Sequence, residues 1–67
     1  MLRNLMAEMV RRDVSRRRLA EALGLTRRSI DNKVTGHTRF KTAEQKVVCE
    51  MLGMDFESDA ESLFQDM

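Results

Sequence analysis

The sequence predicts an all-α domain. Three observations carry that expectation. Apolar residues recur with a helical period and never alternate as strand residues do. Proline, tyrosine and tryptophan are absent. Three glycines stand just past the apolar runs, where helices end. A chain of 67 residues reads as one domain, 1–67. Chains of this size bury only about 60% of their unfolded surface, and such a core supplies roughly 3–5 kcal/mol. A multidomain enzyme, a dinucleotide-binding fold and a barrel are excluded, and help from a second copy is favoured.

The elements follow in order. Leu2, Leu5, Met6, Met9 and Val10 repeat at i, i+3, i+4, i+7, i+8, which gives a first helix ending near Asp13. Met6 and Met9 belong to that stripe and are core residues rather than metal ligands. Ser15 caps a second helix, Val14 and Leu19 form a staple across the cap, and Leu19, Ala20 and Leu23 face inward. Gly24 stops it as a left-handed residue. Thr26 caps the third helix, with Leu25 and Ile30 as the staple and Ile30 and Val34 as the buried pair. Its other face shows Arg27, Arg28, Asp31 and Asn32. Gly36 ends it, a polar loop His37–Thr38–Arg39 follows, and Phe40 plugs the loop's end. Thr42 with Gln45 matches a capping box for a fourth helix, with Ala43, Val47, Val48, Met51 and Leu52 inward and Gly53 as the stop. Ser58 with Glu61 opens a short acidic fifth helix, about 58–66, carrying Ala60, Leu63 and Phe64.

The net charge of +1 hides an asymmetry. Residues 1–46 hold all twelve basic side chains and five acids, a balance of +7. Residues 47–67 hold six acids and no base, a balance of −6. A basic body with an acidic end points to a polyanion partner. The single cysteine, Cys49, excludes an intrachain disulfide and reads as a small buried hydrophobe in a reducing compartment. No metal or cofactor site is expected: His37 is the one histidine and has no partner at ligand spacing. No membrane span or secretory leader is legible. No nucleophile–base–orienter set or phosphate-cradling glycine loop can be assembled, so an enzyme and a small-molecule substrate are not expected.

The chemistry sits in Arg16–Gly36, R-R-R-L-A-E-A-L-G-L-T-R-R-S-I-D-N-K-V-T-G. Ala20 lies four before Gly24 and Ile30 six after it. A small residue there lets the next helix approach, glycine accepts positive φ, and the branched residue locks the second helix onto the first. These are the requirements of a helix-turn-helix, here about 15–35, the motif that places a helix in the major groove. With the run Asp31–Asn32–Lys33–Val34–Thr35–Gly36–His37–Thr38–Arg39–Phe40 and the later E-M-L-G-M, the chain resembles the lambdoid phage repressors and Cro proteins, among the xenobiotic-response-element type of regulators. The likeness spans about residues 3–64. It departs from that pattern in Arg16, Arg27 and Arg28, where Gln, Ser or Thr is usual, which favours salt-sensitive backbone binding.

The resemblance implies a five-helix helix-turn-helix domain of the phage repressor type, a cytoplasmic homodimer on an inverted-repeat operator in double-stranded DNA, and a bacterial or phage-infected cell. It places the helix Thr26–Thr35 in the major groove. Arg27, Arg28 and Asn32 would meet base edges, arginine on guanine and asparagine on adenine, with Asp31 accepting from cytosine or restraining an arginine. Arg16, Arg17, Thr26, Ser29, Lys33, Thr35, His37, Thr38 and Arg39 would meet phosphates. About five neutralised phosphates would give log K a slope near −4 to −5 against log salt. Half-sites would lie about 34 Å apart, and the dimer surface would be Met54, Phe56, Leu63 and Phe64. A different class of reading stays open: a protein-interaction module, such as an antitoxin, anti-repressor or adaptor, docking through the acidic helix. RNA binding is weaker, because no exposed aromatics are foreseen to stack on bases.

Overall fold

The computed structural model describes residues 2–65, and these form five helices and no strand: α1 (Arg3–Arg11), α2 (Arg16–Leu23), α3 (Arg27–Thr35), α4 (Thr42–Leu52) and α5 (Phe56–Phe64). The described body measures 28 × 22 × 22 Å. Helix α2 packs on α3 and on α4, and α5 packs on α1 and α4. None of the helices is long and apolar enough to cross a membrane.

Local chemistry sets most boundaries. Ser15 is the N-cap of α2 and accepts from Arg18 N at 3.1 Å. Thr26 caps α3 and accepts from Ser29 N at 3.2 Å. Between the two helices the chain must reverse within Gly24, Leu25 and Thr26. Gly24 does this at φ +68, and a side chain there would meet no atom within 4 Å. What the turn demands is therefore backbone freedom, not space. Leu25 N then donates to Ala20 O at 2.9 Å, closing the end of α2.

Two helix starts differ from the sequence expectation in how they are capped. Helix α1 ends at Arg11 with Arg12 as its C-cap, near Asp13 as expected. Asp13 itself takes φ +55, a conformation short polar side chains tolerate. Helix α4 starts at Thr42 as expected, but not on a Thr42–Gln45 box. Lys41 is its N-cap, and Glu44 reaches back to accept from Lys41 N at 2.8 Å. The carboxylate wins the exposed amide because a charged acceptor bonds more strongly than a neutral one. Gln45 is left to donate to Phe40 O at 3.2 Å. Helix α5 begins at Phe56 rather than after Ser58, because Asp55 caps it by accepting from Glu57 N at 3.2 Å. Asp59 returns the bond by accepting from Asp55 N at 3.0 Å. Ser58 lies inside the first turn and donates to Asp55 Oδ2 at 2.6 Å. Asp66, at the expected end of that helix, lies outside the described residues.

The core draws on every helix. Leu5, Leu19, Ile30, Val34, Val48, Cys49 and Leu63 are its most enclosed side chains. Phe40 closes the α3–α4 loop over it and tilts against Phe64, ring centroids 5.0 Å apart. Three expected core residues are not in it, Val10, Ala43 and the half-buried Val47. Val10 is 82% exposed. It lies about 100° on from Met9 around the helix, past the edge of the stripe that α5 covers. Ala43 is exposed in the first turn of α4. The chain's start is tied in as well. Leu2 N donates to Val34 O at 3.0 Å, and Asn4 Nδ2 donates to Ser62 O at 3.0 Å. Arg12 joins two further elements: its Nη1 donates to Leu52 O, the last carbonyl of α4, and its Nε to Glu8 at 3.1 Å.

Candidate nucleic-acid interface

The candidate residues lie at the starts of α2 and α3 and around the loop that follows α3. A helix N-terminus carries unpaired amides and about half a positive charge. The sequence adds arginines at both starts. Arg17, Arg27 and Arg28 are exposed, and Arg27 keeps 83% of its side chain in solvent.

Asp31 links the two starts. Its Oδ1 lies 3.0 Å from Arg16 Nη1 on α2, and its Oδ2 lies 3.9 Å from Arg27 Nε one turn earlier on α3. The structure thus brings Arg16, Arg27 and Asp31 into one cluster. Asp31 restrains arginines here, one of the two roles foreseen for it. Arg16 Nη2 also donates to the Met6 sulfur at 3.9 Å, a second contact that holds this guanidinium in place. Arg17 pairs loosely with Glu21 at 3.5 Å on the open surface.

The remaining candidates divide. Thr26 and Ser29 are joined by the cap bond described above. Asn32 is half-buried, and its backbone carbonyl accepts from both His37 N and Thr38 N, at 2.9 and 3.2 Å. Thr35 is half-buried and donates to Asp31 O at 2.8 Å; its hydroxyl lies 3.0 Å from His37 Nδ1. His37, Thr38 and Arg39 are exposed on the loop.

Lys33 departs from the expectation of a surface phosphate contact. It is 8% exposed, and its Nζ lies 3.0 Å from both Arg39 O and Glu44 Oε1. It also stands 5.9 Å from the centre of the Phe40 ring. An ammonium so placed is satisfied from inside and is not offered to solvent. Burial on its own would raise the Glu44 carboxyl's pKa. Hydrogen bonds from Lys41 N and Lys33 Nζ, with the charges of both lysines, outweigh it and hold the group below its ordinary 4.5. Glu44 carried no mark as a site residue. It lies eleven positions after Lys33 across a loop, and no helical period connects the two.

The surface expected to pair two copies is also changed. Leu63 is 1% exposed and belongs to the core. Met54, Phe56 and Phe64 are half-buried against the same core, and Lys46 Nζ covers Phe56 from 5.5 Å. Among the described residues no group of three histidine, cysteine or acidic side chains could hold a metal ion. Comparison with known protein families, curated proteins and solved structures finds no match for this chain.

Proposed function

We propose that the chain is a sequence-specific double-stranded DNA-binding transcriptional regulator of Cro or repressor type, with α3 as the helix that enters the major groove. The observation that carries the reading is the convergence of Arg16 and Arg27 on Asp31. It sets two arginine-bearing helix N-termini side by side, one to lie along a phosphate backbone and one to meet the bases. Two positive helix ends, one carrying the held guanidinium of Arg16 and the other the exposed guanidinium of Arg27, suit a polyanion. The short capped turn through Gly24 supports a rigid pair of helices, which groove recognition requires.

In this reading Arg27, Arg28 and Asn32 specify the site. Arg16, Arg17, Thr26, Ser29, Thr35, His37, Thr38 and Arg39 position it. Lys33 leaves the contact set. Two copies would occupy an inverted repeat with half-sites about 34 Å apart.

Selection of duplexes from a random DNA library at about 0.15 M salt tests the proposal, with Arg27→Ala/Arg28→Ala as the control. The expected result is an enriched inverted repeat. The double variant loses at least about thirtyfold in affinity for it, from two guanine contacts of 1–3 kcal/mol each, with melting unchanged because both side chains are exposed. Wild-type affinity retained in the variant would remove the reading. It would move the interaction-module alternative, with exposed Glu57 and Glu61 on α5, to first place.

A further inference from the structure

Lys33 is the one buried charged side chain among the described residues. Its pairing is not explained by stability. A buried ion pair repays little of its desolvation, and apolar residues of similar volume often do as well. What the pair does is geometric. Lys33 Nζ holds Arg39 O at 3.0 Å, and Glu44, itself bound to Lys33 at 3.0 Å, holds Lys41 N at 2.8 Å. These two backbone groups bracket Phe40, whose ring is in the core. The first half of the loop is held otherwise, by His37 N and Thr38 N on Asn32 O. No backbone–backbone hydrogen bond among the described residues reaches Arg39 or Phe40. Side chains therefore supply the backbone restraint in the second half of the loop: Gln45 Nε2 holds Phe40 O at 3.2 Å, and the ion pair holds Arg39 O and Lys41 N on either side of it.

We infer that the Lys33–Glu44 pair is a positioning device that fixes the backbone of Arg39 so that its side chain meets a DNA phosphate, and that Lys33 itself touches no DNA. This rests on the DNA-binding reading above. Arg39 is exposed on a six-residue connection between α3 and α4. Without the restraint its contact would carry the entropy of ordering the loop at the moment of binding. With the restraint that ordering is complete beforehand.

The test is a thermodynamic cycle in the full chain, with a duplex the wild type selects as probe. Lys33→Met/Glu44→Leu removes both charges together, so neither is stranded in the core. Arg39→Ala is made in the wild type and in that background. The double variant is expected to melt within a few degrees of wild type and to keep its base preference. Its salt slope should lose about 0.9, the share of one phosphate. Arg39→Ala should cost about tenfold in the wild type and nothing in the double variant, since contacts that act as a unit are not additive. Lys33→Met alone, which removes the bond to Arg39 O and leaves Glu44 on Lys41 N, is expected to abolish the same coupling should the double variant fail to fold. An equal cost of Arg39→Ala in both backgrounds overturns the inference while leaving DNA binding intact. A wild type that binds no duplex overturns the DNA reading instead.

Discussion

A carboxylate 3.0 Å from one arginine and 3.9 Å from another withdraws charge from both. Asp31 thus limits how strongly the two helix starts attract any polyanion, and it fixes the direction in which Arg16 points. Pairs as exposed as this contribute at most about 1 kcal/mol to folding, so its weight falls on recognition. Asp31→Ala is expected to tighten binding to random-sequence duplex, steepen the log K–log salt slope by about 0.9 for each arginine released, and lower the ratio of selected to random affinity. Filter binding at several salt concentrations checks this, and an unchanged slope would show that Asp31 shields neither arginine. At this scale the arginines were legible, because exposed residues at a capped helix start need only local sequence to be placed. Lys33 was not. Its place on α3 matched a surface residue, and what draws it inside is a carboxylate supplied by another helix.

Where α3 hands over to α4, one carboxylate serves as helix cap, ion-pair partner and loop anchor. The Glu44 pKa lies below its ordinary 4.5, so ionised Glu44 stabilises the fold above that value. The contribution fades as pH falls through the depressed folded-state value. Glu44→Gln removes it. The stability difference between wild type and this variant, measured by urea unfolding, should be constant above pH 4.5 and shrink below it. A difference that grows on acidification would contradict the assigned sign. Caps were legible where they rest on one side chain and a nearby amide, as at Ser15 and Thr26. They were misplaced where two candidates competed within a turn. Thr42 and Ser58 each had a carboxylate nearby, Glu44 and Asp55, and at each start the carboxylate makes the cap bond.

All five helices share one core, and the helical count and the apolar inward residues of α2 and α3 were readable from period, spacing and cap residues. The role of α5 was not, because its contacts to α1 and α4 join residues such as Asn4 and Ser62 that lie at opposite ends of the chain. Within that core sits the chain's single sulfhydryl. Cys49 is 1% exposed, and its pKa is raised first by burial and then by the charges of Asp59 and Asp55. A thiol reagent can reach it only when the molecule opens, so the speed of modification becomes a clock for opening. For a core worth roughly 3–5 kcal/mol, the folded chain should react about two to four orders of magnitude more slowly than the chain in denaturant. Mass spectrometry would time the reaction, and equal rates in the two conditions would contradict the enclosed setting of Cys49. A ligand that binds only the closed form slows the same clock in proportion to its occupancy. Through this one sulfur atom the protein reports both its own opening and what holds it shut, with no foreign reporter attached.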